Sequence, residues 1–259
     1  MTDSYADSSI LAERTGPVTT VVINRPAVRN ALDGAAAAGL TAAFRAFDAD
    51  PDQTVAVLTG ADGAFCAGAD LKEMAHGANY IAWAGHSDGP THGPLSKPVI
   101  AAVEGHACAG GLGLALWCDI RIADETAVFG VFSRRWGVPM SDGTTVRLPR
   151  LIGDGRALHM LLTGDAVPAE KALAWGLVTE VVPTGTARAR AEALAARLAG
   201  FPQIAMRSDR RSAQTQAGLE LAAAVEQEMR LAEAAKRQEA QGGAQRFAAG
   251  AGRHGSFDG

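Results

Sequence analysis

Three short runs, VTTVVI at 18–23, VAVL at 55–58 and PVIAAV at 98–103, set the fold class of this chain. Each is apolar, strand-length and rich in β-branched residues, and turn residues close it. The first ends at an NRP turn, Asn24 to Pro26, after which Asp33 is placed to cap a helix. In that helix Leu40, Phe44 and Phe47 fall at i, i+4 and i+7, on one face. Val55 to Leu58 reads as a buried strand closed by the loop TGADGAFCAGAD, and Pro98 to Val103 as a third strand, followed by a glycine turn and a helix to about Cys118. Ile120 to Ala123 and Ala127 to Phe129 are further short strands. Repeated strand, loop and helix units of this kind imply an α/β core with parallel pairing. With 259 residues the chain can close one large domain, or one domain with an extension.

Charge and composition exclude several partners. A formal net charge of −4 without a basic run argues against nucleic acid. No stretch approaches the roughly 18 uninterrupted apolar residues of a membrane span, and MTDSYADSSILAERTG has neither the basic start nor the apolar run of a secretion signal. Cys66, Cys108 and Cys118 are too few for a disulfide framework, so reduced thiols and a cytoplasmic protein are expected. The stretch from Ala75 to Ser96, rich in Gly, His and Pro, is too long for an ordinary connection and is expected to be a lid or substrate loop. After Pro183 the sequence turns to alanine-rich helix, and Leu219 to Glu239 reads as a helix with a charged face, ending near Gly242 and Gly243.

Two loops carry the chemistry. FCAGADL, Phe65 to Leu71, follows a strand and precedes a helix that Asp70 can cap. ACAGGLG, Ala107 to Gly113, has the same logic, with Gly110 and Gly111 opening a helix. Small residues let the backbone approach a ligand, and N–H groups at a helix start are unpaired and favour negative charge. Two such loops converging on one point would cradle an enolate or tetrahedral oxygen.

The pieces NRPAVRNAL, FCAGADLKEM, KPVIAAVEGHACAGGLGLALWCD, AVFG and LTGDAVPAEKALAWGLV, in that order, resemble the enoyl-CoA hydratase/isomerase (crotonase) family. The resemblance implies a superhelix of ββα units over residues 1–195, with a C-terminal helical region and glycine-rich tail over 196–259. That region would assemble a homotrimer or a dimer of trimers. It also implies an acyl-CoA thioester ligand, with coenzyme A entering as part of the substrate and no metal or redox cofactor. Carried onto this sequence, the enolate-stabilising amides are those of Ala69 and Gly110. The CoA nucleotide falls to Arg25, Ala27 and Arg29, and to Ala67, Ala69, Asp70, Leu71 and Lys72.

True hydratases of the family use two glutamates, and the matching positions here are Gly113 and Ser133. General acid–base groups contribute on the order of 100- to 10,000-fold each, or roughly 3–5 kcal/mol of barrier. A hydratase without both is therefore expected to be slow unless another residue stands in. Asp142, in the loop GVPMSDG, is the candidate; its other reading is a turn-forming residue that caps the helix from Thr144. Gly113 itself is expected to leave extra room or a water. Ser133 can hold a water but cannot serve as an acid near neutral pH. His106 and Cys108 precede the anion-hole glycine and either face the cavity or, as favoured, pack in the core, and Lys72 reads either as a CoA phosphate contact or as a solvated helix charge. His76, His86 and His92 fall in the lid, where spacing singles out none of them.

Other classes fare worse. A dinucleotide fingerprint starting at Gly111 needs Gly or Ala at 116, where Leu116 stands. The Tyr and Lys four apart of a short-chain dehydrogenase are missing, since the only tyrosines are Tyr5 and Tyr80 and Ala84 follows the latter. Neither H-E-x-x-H nor Cys-x-x-Cys appears. The chain is therefore expected to be nominally an enoyl-CoA hydratase (a lyase). The alternatives are an isomerase, decarboxylase or thioester hydrolase of the same family, or a non-catalytic acyl-CoA-binding protein.

Overall fold

The computed structural model describes residues 9–76 and 92–252. The chain divides into two compact units, Met1–Ala199 and Gly200–Gly259.

In the first unit nine strands form two sheets among the described residues. β1 (Ile10–Thr15) and β2 (Val18–Ile23) make an antiparallel hairpin. Parallel to β2 lie β3 (Val55–Gly60), β4 (Val99–Val103), β6 (Ile120–Asp124) and β9 (Glu180–Val182), giving the order β1-β2-β3-β4-β6-β9. The smaller sheet joins β5 (His106–Cys108), β7 (Val128–Gly130) and β8 (Val167–Pro168).

The apolar runs that define the strands are explained by burial on both faces. Ala56 and Leu58 of β3, with Val99, Ala101 and Val103 of β4, join the cluster that holds Leu40, Phe44 and Phe47 of α1 (Gly34–Ala49). Their alternates Val55, Val57, Ile100 and Ala102 pack with Ala187, Ala191, Leu194 and Ala195 of α7 (Ala187–Ala199). Asp33 caps α1 as its position demands, accepting a hydrogen bond from the Ala36 N–H at 2.8 Å.

The ββα repeat is visible around the cavity described below. β3 is followed by a bridge from Cys66 to Ala107 and by α2 (Leu71–His76). β4 and β5 are followed by α3 (Gly110–Trp117), and β6 and β7 by a 3-10 turn, Phe132–Trp136. α4 (Thr144–Ile152), α5 (Asp154–Thr163) and α6 (Ala169–Trp175) complete this unit. No helix among the described residues is long and apolar enough to cross a membrane.

The second unit is helical: α8 (Gln203–Thr215), then α9 (Leu221–Ala235), which runs through a π-helical segment, Lys236–Ala240, into α10 (Gln241–Ala248). The expected stop at Gly242 and Gly243 is thus wrong. Both glycines lie inside α10, where an added Cβ would come no nearer than 3.7 Å to another group. The helix carries on because the Glu239 carboxylate is fastened to the start of α8, accepting from the N–H groups of Ile204 at 3.1 Å and Ala205 at 2.8 Å.

Candidate active site

The two glycine loops lie side by side. Cys66 N–H donates to the His106 carbonyl at 2.8 Å, and Cys108 N–H donates back to the Cys66 carbonyl at 3.0 Å. Gly68 has φ +93°, and a Cβ there would stand 2.8 Å from the Cys108 carbonyl and 2.9 Å from the Gly110 nitrogen. Only glycine meets both demands. A Cβ at Gly111 would fall 2.0 Å from the Cys66 carbonyl, so the start of α3 is pressed onto the first loop. Ala109, just before α3, holds φ 48° and ψ −115°. An L-residue there stores about 1–3 kcal/mol of strain, of the kind found where a backbone group must be aimed.

Ala69 and Gly110 line one cavity of about 530 Å³. Their N–H groups donate to no acceptor among the described residues. On either side of Ala69 the backbone is fixed: Leu32 N–H donates to the Gly68 carbonyl, and Asp70 N–H to the Leu32 carbonyl, both at 2.8 Å. Gly110 is the first residue of α3, so its N–H also has no partner within the helix.

Gly113 does not leave the vacancy expected of it. Its missing Cβ would lie 2.2 Å from Asp142 Oδ2 and 2.4 Å from Asp142 Cγ, so the carboxyl group of Asp142 already occupies that space. The absence of a side chain at 113 is what admits it. Asp142 is 5% exposed and lines the same cavity as Ala69 and Gly110. Its Oδ1 accepts the Thr144 N–H at 2.9 Å at the start of α4, while Oδ2 lies over Gly113. Burial raises its pKa above the ordinary carboxylate value, and the Thr144 contacts and nearby Arg147 oppose this without cancelling it.

Ser133 also lines the cavity, its hydroxyl 3.6 Å from the Met140 sulfur. His106 and Cys108, expected in the core, line it as well, because alternate residues of β5 face the same side. Neither Cys108 nor Cys66 is a nucleophile at neutral pH, since burial pushes both thiols up to about 12. The apolar wall comes from Met74, Phe132, Val138 and Met140, with Trp136 exposed at the rim.

Of the positions matched to the CoA nucleotide, Arg29, Ala67, Ala69 and Leu71 line the cavity, whereas Arg25, Ala27, Asp70 and Lys72 do not. Ala27 and Lys72 are exposed. Arg25 is held between carboxylates, 2.6 Å from Asp33 and 3.3 Å from Asp70. Asp70 caps α2, accepting the Lys72 N–H at 3.1 Å. His86 and most of the proposed lid lie outside the described residues.

Residues 13–251 match the family model for enoyl-CoA hydratase/isomerase. The enoyl-CoA hydratase EchA19 of Mycobacterium tuberculosis is 39% identical over 209 residues, which is 78% of this chain and 79% of that protein. The (E)-benzylidenesuccinyl-CoA hydratase of Thauera aromatica is 36% identical over 208 residues, 79% of this chain and 81% of that one. In three dimensions the chain resembles a crystal structure of enoyl-CoA hydratase from Mycobacterium tuberculosis H37Rv. The TM-score is 0.89 at 36% identity, over 93% of this chain and 96% of the other. A crotonase fold of ββα turns, a match along nearly the whole chain and relatives that are hydratases agree: the chain belongs to the enoyl-CoA hydratase/isomerase family and is an enzyme of it.

Proposed function

We propose that the protein adds water to a 2-enoyl-CoA thioester through an enolate, with Asp142 serving first as base and then as acid. Asp142 takes a proton from water while the water oxygen bonds to the β-carbon. The π electrons move onto the thioester oxygen, which the N–H groups of Ala69 and Gly110 hold. Protonated Asp142 then gives the proton to the α-carbon and the carbonyl re-forms. Ser133, which lines the cavity, would hold the water, and Arg29, Ala67 and Leu71 would meet the CoA nucleotide. The observation that carries this reading is the Asp142 carboxyl over Gly113, the only carboxylate lining the cavity among the described residues.

A single carboxylate equally suits a 1,3-proton shift, in which one base removes the α-proton of a 3-enoyl thioester and returns it at the γ-carbon. That is the second reading. Crotonyl-CoA and a 3-enoyl-CoA separate the two. Loss of the conjugated-thioester absorbance with a product one water heavier marks hydration, and its appearance from the 3-enoyl substrate marks isomerisation. Asp142→Asn is expected to lower either rate on the order of 100- to 10,000-fold. An Asn variant as fast as the parent would refute the assignment of Asp142. The C-terminal unit is the element through which copies assemble, as a homotrimer or dimer of trimers. The exposed row Leu221, Val225 and Met229 on α9 supports this, and sedimentation of the full chain tests it.

A further inference from the structure

We infer that Arg25 is a positioning residue that holds the Ala69 amide in place, and not a contact for the CoA nucleotide. The inference rests on the proposed role of Ala69 in the enolate hole.

Arg25 lies two residues beyond the end of β2, and its guanidinium lies in the gap between two acidic helix caps. Nη2 is 2.6 Å from Asp33 Oδ2 and 3.3 Å from Asp70 Oδ2; Nη1 is 3.4 Å from Asp70 Oδ2 and also donates to the Ala31 carbonyl. Both carboxylates share one nitrogen, so their oxygens are no more than about 6 Å apart. Each is already committed: Asp33 caps α1 through Ala36, and Asp70 caps α2 through Lys72. Without the cation between them, two partly buried like charges would face each other.

What that clamp governs is the residue before Asp70. Ala69 sits between two main-chain hydrogen bonds to Leu32, one from Leu32 N–H to the Gly68 carbonyl and one from Asp70 N–H to the Leu32 carbonyl. The Leu32 strip is itself anchored to Arg25, whose N–H donates to Asn30 Oδ1 at 2.8 Å; the Asn30 amide donates in turn to the Ala61 and Ala64 carbonyls at 2.9 and 2.5 Å. The guanidinium thus bolts the loop carrying Ala69 to the turn after β2. Its five donors are largely spent on two carboxylates and a carbonyl, and it does not line the cavity, so a phosphate could engage it only by breaking this arrangement.

The test uses Arg25→Met and Arg25→Lys in the full chain, with three readouts. They are kcat and KM on a 2-enoyl-CoA, the Kd of free CoA, and the red shift of bound cinnamoyl-CoA, whose absorption moves when its carbonyl is polarised. Misplacing one anion-hole donor is expected to lower kcat by about 10- to 100-fold in the Met variant. KM and the CoA Kd should stay within about threefold, and the red shift should shrink. Lysine, able to satisfy only one carboxylate well, should recover part of both. A raised KM and CoA Kd with unchanged kcat and red shift would overturn the inference in favour of phosphate binding. A lower melting temperature with unchanged kcat and red shift would reduce Arg25 to a stability role. Should the Met variant fail to fold, Asp70→Asn keeps a capping oxygen for α2 while weakening the clamp, and it must likewise shrink the red shift. A parent protein that gives no red shift would instead remove the proposed hole itself.

Discussion

Adding one methyl group at Gly113 tests whether Asp142 works from the space that glycine leaves. A Cβ built there stands 2.2 Å from Oδ2, 2.4 Å from Cγ and 2.9 Å from Oδ1, whereas ordinary contacts begin near 3.4 Å. The carboxyl group must therefore retreat by about 1 Å. It cannot do so freely, because Oδ1 is tied to the Thr144 N–H and Arg147 packs against Gly143, where a Cβ would be 2.1 Å from Nη1. A misplacement of about 1 Å in a proton-transfer group is worth on the order of 100-fold in rate. Stability should move little. Gly→Ala inside a helix contributes about 1 kcal/mol, and overpacking opposes it by about 1–3 kcal/mol. The net is about 0–2 kcal/mol of destabilisation, a few degrees of melting temperature. Gly113→Ala is thus expected to melt near the parent temperature while kcat on crotonyl-CoA falls about 100-fold. A variant that turns over within threefold of the parent would show that the carboxyl group over Gly113 takes no part in the chemistry.

Three further outcomes follow from the same geometry. Gly113→Glu alone should be nearly inactive because two carboxylates compete for one space, and combining it with Asp142→Ala should recover at least about tenfold of kcat; no recovery would mean that the two positions do not share a site. The pKa of Asp142 is raised on folding, so between its unfolded and folded values the native state binds the extra proton and stability falls as pH rises; Asp142→Asn should flatten that decline in melts across pH, and the acid limb of kcat/KM, which needs the ionised form, should lie above the ordinary carboxylate range and vanish in the variant. Lys97 is 4% exposed and donates to the carbonyls of Phe47 at 2.8 Å and Asp50 at 2.6 Å at the end of α1, so Lys97→Met should lower the unfolding free energy by about 2–4 kcal/mol in denaturant melts; an unchanged midpoint would contradict this.

The sequence announces the strands that are buried on both faces and is nearly silent about β1, which is not. VAVL and VIAAV are continuous apolar runs because Val55 and Val57 answer to α7 while Ala56 and Leu58 answer to α1. β1, ILAERT, pairs on one side only and leaves half its residues in water, so nothing in its composition separates it from a loop. The helix through Gly242 and Gly243 was hidden for a related reason. Glycine is a poor helix former in isolation, but a tie made elsewhere, from Glu239 to the first N–H groups of α8, holds the stretch in place.

The site divides along the same line. Backbone devices are legible because glycine and small residues leave a local trace, as at Gly68 and Gly110. Side-chain devices that need two distant segments leave none. Neither Gly113 nor Asp142 alone says that the carboxylate of one fills the space of the other, and nothing in the sequence around Arg25 says that Asp33 and Asp70 lie on either side of it. A carboxylate from 142 differs from one carried on α3 in more than its point of attachment. A glutamate rising from α3 would swing on a flexible stem, whereas Asp142 has a shorter side chain and one oxygen already taken by Thr144. In the proposed mechanism only Oδ2 is left to accept the first proton and to return it. Between those two steps nothing on Asp142 holds the charge that has moved onto the thioester oxygen. If the reaction runs as proposed, the enolate oxygen is held by the amides of Ala69 and Gly110 alone, so its lifetime rests on the rigidity of the two loops that carry them.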